Sequence, residues 1–412
     1  MELIQEYGSM IVLITAVFGF FMAFGIGAND VSNAMGTSVG SGTITAKQAI
    51  LVAMVFEFAG AYLAGGEVTE TIKSGIIDIH QFSGRPDTLV LGMMSALFAA
   101  GTWLLLASKM GWPVSTTHSI IGAIIGFALV TVGAEAVHWG DLSGIVGSWF
   151  VTPVVSGIIA YAIFTSTQKM KNAQKYGPFY MGLTTFILSI VTMTKGLKHV
   201  GLQLTMTETL VISSAISITS IITCFFYFRS QSFANRVQGG AFGGVEKVFS
   251  ILMLLTACSM AFAHGSNDVA NAIGPLSAVV SIVENGGVIE AKSILAPWIL
   301  PLGATGIVAG LAVMGYKVMG TIGTGITDLT PSRGFSAEFA TAMTVVVASG
   351  TGLPISTTQT LVGAVLGVGF ARGIAALNLT VIRNIVASWV VTLPAGAFFS
   401  ILIFYILNAI FY

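Results

Sequence analysis

Charged residues are what this 412-residue sequence has least of: Asp, Glu, Lys and Arg make up only 8% of it, whereas 55% is hydrophobic. A soluble globular chain carries about 25% charged residues. So few charges cannot cover a water-facing surface of this size, and the composition predicts that much of the apolar surface faces lipid. The 17 basic and 17 acidic residues balance, so we expect no basic face for nucleic acid.

Three further absences narrow the range of functions. No Gly-x-x-x-x-Gly-Lys-Ser/Thr motif is present, so ATP-driven transport has no local support. Only two cysteines occur, Cys224 and Cys258, and both lie in apolar runs, which favours packing over a disulfide or a metal site. The N-terminal segment MELIQEYG has no basic residue. We therefore expect the first apolar run to remain as a membrane helix and not to be removed as a secretory signal.

Apolar segments recur along the whole chain, and many reach the roughly 20 residues that a helix needs to cross a bilayer. Gly, Pro or Asn residues interrupt several of them, which indicates broken or re-entrant helices. The sequence therefore predicts an all-α polytopic membrane protein with about 12 transmembrane segments.

Basic residues in short loops predict the orientation, because cytoplasmic loops carry an excess of Lys and Arg. Segments 169–175 and 229–247 are both placed in the cytoplasm, and two crossings join them. Their basic residues are Lys169, Lys171, Lys175, Arg229, Arg236 and Lys247. Lys195 and Lys198, between those crossings, count against this orientation. With an odd number of crossings before residue 169, the N- and C-termini lie outside.

An internal repeat is the most informative feature of the sequence. The first copy contains GANDVSNA at 27–34 and GWPVSTTHSIIGAIIG at 111–126, and the second contains GSNDVANA at 265–272 and GLPISTTQTLVGAVLG at 352–367. Asp30 and Asp268 stand 238 residues apart, and Ser115 and Ser356 stand 241 apart. Blocks in one order at nearly one spacing indicate a duplication.

The duplication divides the chain into three parts: a first repeat at 1–168, a linker with two transmembrane helices at 169–246, and a second repeat at 247–412. The first repeat starts outside and the second starts in the cytoplasm, according to the charge pattern. The repeats are therefore predicted to be inverted, as in secondary transporters that bind substrate and ions near the membrane midplane.

The repeated Asn-Asp motif places a carboxylate inside each of two apolar segments, where an ionised group costs about 2.5–3.5 kcal/mol. No Lys or Arg lies within either octet, and hard cations prefer oxygen ligands. We therefore expect a sodium or proton site, with flanking glycines and Pro275 breaking the helices to free backbone carbonyls. The alternative is that each Asp only caps a helix. The candidate ligands are Asn29, Asp30, Asn33, Asn267, Asp268 and Asn271.

The second motif, PVSTTHS at 113–119 and PISTTQT at 354–360, predicts the start of a helix, because proline favours the first helical turn. Free N–H groups and the positive end of the helix dipole then meet three hydroxyls, a combination that binds a tetrahedral oxyanion. The alternative is simple helix capping by Ser or Thr. The candidate substrate residues are Ser115, Thr116, Thr117, Ser356, Thr357 and Thr358.

Three other polar residues complete the candidate substrate set. His118 and Gln359 occupy equivalent places, and His118 is either a donor or proton relay or a structural histidine. Glu57 is an intramembrane acid and so a functional candidate. His264, Glu338 and Arg383 are possible pathway residues, to which the sequence assigns no role.

At these motifs the chain resembles the inorganic phosphate transporter (PiT) family, whose hallmark octets match GANDVSNA and GSNDVANA and whose second motif matches PVSTTHS and PISTTQT. The resemblance covers nearly the whole chain. Because its connection at 229–247 is short, the chain resembles a compact prokaryotic member of the family. It implies phosphate symport driven by sodium or by protons, with no covalent cofactor. It also implies that Glu57 takes part in phosphate transport.

The expected function is uptake of inorganic phosphate with sodium across the plasma membrane, by a lipid-embedded protein for which a homodimer stays open. Two clusters of Asn and Asp oxygens favour sodium, but proton coupling and a metal-phosphate cargo stay open. A channel and an intramembrane protease are the alternatives from other classes. Aspartyl proteolysis needs two carboxylates in one site and assigns no role to the Ser-Thr-Thr motif.

Overall fold

The computed structural model describes residues 2–168, 170–196, 204–230, 240–290 and 295–412. Within these ranges the chain forms fourteen α-helices and no named β-strand. Lys169, Lys198 and Arg236, which entered the orientation prediction, lie outside the described residues.

The fourteen helices form two sets of six that are separated by a pair. The first set is α1 (Glu2–Gly40), α2 (Ala46–Ala64), α3 (Gly66–Ser74), α4 (Pro86–Lys109), α5 (Thr116–Thr131) and α6 (Trp139–Thr167). The pair is α7 (Met170–Val191) and α8 (Met206–Arg229). The second set is α9 (Gly240–Glu284), α10 (Ile299–Met314), α11 (Tyr316–Gly325), α12 (Pro331–Gly350), α13 (Thr357–Arg372) and α14 (Leu379–Phe411).

Eight of the described helices are long and apolar enough to cross a bilayer, namely α1, α2, α4, α6, α7, α8, α9 and α14. Helices α5 and α10 are apolar but have only 16 residues each, about 24 Å of helix against a hydrocarbon core of about 30 Å. Large apolar side chains such as Phe150, Phe226 and Phe398 are exposed, as lipid contact requires. The chain is an all-α membrane protein, and the number of 12 crossings stays a prediction.

Helices α1 and α9, which carry the two Asn-Asp motifs, pack against each other in opposite directions. Gly8 of α1 lies beside Val283 of α9, and Gly19 lies beside Leu276. At the other end, the Ser41 hydroxyl donates to the Met253 sulfur at 3.3 Å. Residue numbers thus rise along one helix as they fall along the other, so α1 and α9 are antiparallel.

Each set of six helices packs mainly against the other set: α1 contacts α10, α2 contacts α9, α5 contacts α14 and α6 contacts α13. Glycines allow these backbones to touch. Gly310 of α10 lies against the Phe24 carbonyl of α1, and Gly60 of α2 lies against the Phe262 carbonyl of α9. Small residues of this kind let membrane helices approach closely, and here they bring the two motif helices to the centre of the molecule.

The expected helix breaks at the Asn-Asp motifs are wrong, because α1 and α9 continue through Asp30 and Asp268 without interruption. A glycine inside a helix costs only about 1 kcal/mol, and the flanking glycines serve helix packing instead. Pro275 stays inside α9, where its missing N–H leaves the carbonyl four residues earlier without a helical donor. Residues 25–38 and 259–282 are buried on every side.

A methyl group at Gly310 is expected to destabilise the protein. The new Cβ would meet the Phe24 carbonyl oxygen and the Ala28 amide, and backbone atoms cannot move aside as a side chain can. We predict that Gly310→Ala lowers the melting temperature of the detergent-solubilised protein, with a loss of about 1–3 kcal/mol as for other overpacked sites.

The matched control is Gly147→Ala in α6, where an added Cβ meets nothing within 4 Å. Equal melting temperatures for the two variants and the parent protein would contradict the close packing of α1 on α10.

Candidate functional site

The two Ser-Thr-Thr motifs begin helices, as predicted. Ser115 caps α5, since its Oγ accepts the His118 N–H at 3.2 Å, and Ser356 caps α13 through the Gln359 N–H at 3.2 Å. The serines therefore carry the capping role that the sequence left open. Their side chains stabilise the helix starts and leave the threonines to face the centre.

The N-termini of α5 and α13 meet side by side. Thr117 Oγ1 donates to the Ile355 carbonyl at 3.0 Å, and Thr358 Oγ1 donates to the Val114 carbonyl at 3.1 Å. These two bonds are equivalent under the sequence repeat. The positive ends of two helix dipoles consequently point at one region, which is a favourable arrangement for an anion.

The first Asn of each motif holds the loop that precedes these helices. Asn29 Nδ2 donates to the Trp112 carbonyl at 2.9 Å, and Asn267 Nδ2 donates to the Leu353 carbonyl at 3.3 Å. The two contacts again correspond to each other. The two amides therefore hold the turn between α4 and α5 (110–115) and the turn between α12 and α13 (351–356). We call these two turns the hairpin tips.

The later Asn of each motif reaches across to the opposite repeat. Asn33 Nδ2 donates to Thr358 Oγ1 at 2.8 Å, and Asn271 Nδ2 donates to Thr117 Oγ1 at 3.3 Å. Their buried amide oxygens have no hydrogen-bond donor among the described residues. These two buried oxygen atoms in the centre can therefore accept a hydrogen bond or ligate a cation.

The two aspartates meet at one threonine. Thr116 Oγ1 lies 2.8 Å from Oδ2 of Asp30 and 2.9 Å from Oδ1 of Asp268. A hydroxyl has one hydrogen to donate, so it can satisfy only one of the two carboxylates at a time. The second contact brings two oxygens together, which requires either a proton on that carboxylate or a cation nearby.

His264 joins the aspartates to Glu57. Its Nε2 lies 3.4 Å from Oδ2 of Asp268 and 3.8 Å from Oδ2 of Asp30, while Nδ1 lies 3.3 Å from Oε1 of Glu57. Among the described residues, these three carboxylates form ion pairs with His264 alone. With all three carboxylates ionised, even a protonated imidazole would leave two negative charges uncompensated.

This cluster, which we call the acidic core (Asp30, Glu57, His264 and Asp268), suits hard cations. One ligand atom from each of Asp30, His264 and Asp268 lies within 4.8 Å of the others. Carboxylate, amide and hydroxyl oxygens surround that point, and they are the ligands that alkali and alkaline-earth ions prefer. The buried amide oxygens and Oδ2 of Asp268 lack hydrogen-bond donors within the described ranges, which a bound cation would satisfy.

The remaining candidates lie at different distances from the acidic core. Thr357 accepts a bond from Asn33 at 3.4 Å. His118 instead stacks on Trp149, with ring centroids 3.7 Å apart, and neither His118 nor Gln359 forms a described hydrogen bond to the acidic core. Sequence reasoning gave His264 no role, although its place four residues before Asp268 on one helix face was a usable signal.

Each hairpin tip accepts a hydrogen bond from a threonine of a short helix in the other set. Thr71 of α3 donates to the Gly352 carbonyl at 2.7 Å, and Thr321 of α11 donates to the Gly111 carbonyl at 3.0 Å. A cavity of about 680 Å³ reaches the first of these tips, and its lining includes Glu70 and Thr71. Each tip is therefore tied to a short helix of the other set.

Neutralising one carboxylate is expected to weaken cation binding. We predict that Asp268→Asn reduces the stabilisation of the purified protein by sodium by roughly tenfold or more in apparent affinity, because hydrogen bonds and contacts to a charged group contribute about 1.5–3 kcal/mol. The measurement is the melting temperature against sodium concentration at constant ionic strength.

Asp141→Asn is the control, because the Asp141 side chain is 76% exposed and lies at the start of α6. Sodium titrations that agree for both variants would show that the acidic core does not bind the ion.

Comparisons with known proteins show which family this chain resembles. The model of the phosphate transporter family matches residues 26–400. A Haemophilus influenzae protein that bears the name of a phosphate permease is 72% identical over 419 residues, which cover 100% of both chains. Inorganic phosphate transporter 2-1, chloroplastic, of Arabidopsis thaliana is 41% identical, over 96% of this chain and 72% of its own.

A solved structure, "The sodium-dependent phosphate transporter", superposes with a TM-score of 0.90 at 42% identity, over 97% of this chain and 100% of that one. The family and these relatives are transporters and not enzymes. The chain belongs to the phosphate transporter family.

Proposed function

We propose that this protein takes up inorganic phosphate by symport with sodium, through alternating access to one central site. The observation that carries the proposal is the meeting of Asp30 and Asp268 at Thr116, directly beside the N-termini of α5 and α13. The proposed sodium ligands and the proposed hydrogen-bond donors to phosphate are thus adjacent, as one site that binds both ions requires.

Sodium is supported by the charge of the acidic core and by the oxygen atoms around it. Three carboxylates and one imidazole leave a negative charge that a sodium ion offsets, and the amide oxygens of Asn33 and Asn271 extend the ligand set. The solved relative with 42% identity is named for sodium dependence, which agrees with this choice.

Phosphate is supported by the two helix N-termini and their threonines. The motifs contain no Lys or Arg, so dipoles and hydroxyls provide the donors. Sodium ions bound at the acidic core then reduce the repulsion between its carboxylates and the phosphate anion. Each partner consequently raises the affinity of the site for the other.

Alternating access is supported by the two-fold correspondence of the helices. Antiparallel α1 and α9 suit inverted repeats, and the bonds from Thr71 and Thr321 to the two hairpin tips correspond across the repeat. We propose that one of these contacts opens at a time, exposing the site to one side of the plasma membrane. The N- and C-termini would then lie on the outer side of the membrane.

Proton coupling is the second candidate, and the place of His264 between three carboxylates favours it. A channel is disfavoured, because a pore does not need buried carboxylates that bind ions this closely.

The test is radiolabelled phosphate uptake into proteoliposomes, with sodium and pH gradients imposed separately. We expect an inward sodium gradient to drive phosphate accumulation above its equilibrium level, and Asp30→Asn to abolish that accumulation. Uphill uptake driven only by a pH gradient would show that protons, and not sodium ions, are coupled to phosphate transport. Phosphate flux that follows only its own gradient would indicate a channel.

A further inference from the structure

A basic pocket lies at the end of the molecule where α9 begins. It has a volume of about 320 Å³, within the range of about 300–1,000 Å³ that is usual for small-molecule sites. The end of α6, the start of α9, the start of α12 and the end of α13 surround it. The residues that line this cavity, which we call the arginine pocket, include Phe164, Gln168, Val245, Glu246, Arg333 and Arg372.

Two arginines of the pocket share one hydrogen-bond acceptor. Nη1 of Arg333 donates to the Asp328 carbonyl at 2.9 Å, and Nη1 of Arg372 donates to the same carbonyl at 3.2 Å. This shared oxygen brings two guanidinium groups close together, and their charges repel each other. A guanidinium carries five N–H donors, whereas the described bonds of each arginine use Nη1 alone. The remaining donors can therefore bind an anion that lies between the two side chains.

The acidic residues near the arginines bind other groups or lie in solvent. Glu246 accepts hydrogen bonds from the Thr330 hydroxyl at 2.9 Å and from the Ser332 backbone N–H at 2.8 Å, so its charge faces the positive end of α12. Both Glu246 and Asp328 attract Arg333, but the Asp328 side chain is exposed, and water and salt screen its charge. Within the described ranges, neither arginine forms an ion pair with a carboxylate.

The paired arginines occur in only one half of the pseudo-symmetric structure. The repeat register places uncharged residues at the positions that correspond to Glu246, Arg333 and Arg372, namely Gly8, Gly92 and Thr131. In that half, Arg85 donates to the Thr131 carbonyl at 3.2 Å. The fold of a repeat therefore does not require two adjacent arginines at this place, which favours a ligand over a purely structural role.

The position of the arginine pocket indicates the class of ligand. Helices α6 and α9 are long and apolar enough to cross a bilayer, so a pocket at their ends lies where the membrane meets water. Arginine forks match the geometry of phosphate oxygens, and basic pockets between membrane helices on the cytoplasmic side bind lipid phosphate groups. The charge pattern of segments 169–175 and 229–247 predicts that this side is the cytoplasm.

We propose that the arginine pocket binds a phosphate group, carried either by the headgroup of an anionic phospholipid or by free inorganic phosphate. Arg333 lies near the start of α12 and Arg372 ends α13, so one bound phosphate group joins both helices at the base of their hairpin. The pocket is distinct from the central site, because sixteen residues of α13, about 24 Å of helix, separate Arg372 from Ser356. Two permanent positive charges supply its affinity, and binding there requires no sodium.

The first test measures the melting temperature of the purified protein in sodium-free choline buffer at constant ionic strength. One arm adds phosphatidylglycerol to the detergent micelles, with phosphatidylcholine as its reference, and the other adds inorganic phosphate, with chloride as its reference. We expect at least one arm to stabilise the parent protein, and the arm that does so identifies the source of the phosphate group. Arg333→Gln and Arg372→Gln should each weaken the apparent affinity roughly tenfold, because each removes charge-assisted hydrogen bonds.

Arg383→Gln is the matched control, since it also removes one positive charge and Arg383 is exposed near the start of α14. The Asn378 N–H donates to the Ile326 carbonyl, which places that helix start at the same end of the molecule. A parent protein that neither arm stabilises, or one affinity shared by all three variants, would overturn the proposal.

A second measurement needs no variant and so decides the matter if a substituted protein does not fold. Phenylglyoxal modifies arginine side chains, and mass spectrometry of the folded parent protein follows each site separately. The stabilising ligand should slow the modification of Arg333 and Arg372 but not that of Arg383. Equal rates with and without phosphatidylglycerol or inorganic phosphate at the two pocket arginines would overturn the proposal.

Discussion

Negative charge enclosed by lipid and protein is the constraint on which the rest of this structure depends. Asp30, Asp268 and Glu57 converge on one histidine, and Thr116 has only one hydrogen for two aspartates. Carboxylates in such surroundings persist only with a positive partner. Under the proposed function, cations bound at the acidic core would let a site without Lys or Arg in its motifs accept an anion.

Close helix packing creates this concentration of charge. Reciprocal contacts of Gly60 with Phe262 and of Gly265 with Glu57 bring the backbones of α2 and α9 together. That approach is what places Glu57 within reach of His264. Helices of one set also pack mainly against helices of the other set, and both sets contribute residues to the centre.

The repeated motifs were sufficient to predict the helix starts at Thr116 and Thr357, because proline and serine act through the local backbone. They led to a wrong expectation for the Asn-Asp segments. Glycines there allow helices to pack closely, and the helix propensity of a segment does not describe contacts between helices. The pairing of His264 with Glu57 could not be predicted, since the two residues lie on helices whose contact depends on the tertiary fold.

Coupled binding of sodium and phosphate is tested most directly by calorimetric titration of the purified protein with phosphate at several sodium concentrations. Choline keeps the ionic strength constant. Because linkage is reciprocal, phosphate should bind more tightly as sodium rises, and phosphate should increase the affinity for sodium by the same factor. A phosphate affinity that is independent of sodium would contradict the central claim that cations in the acidic core compensate its charge and so allow the anion to bind.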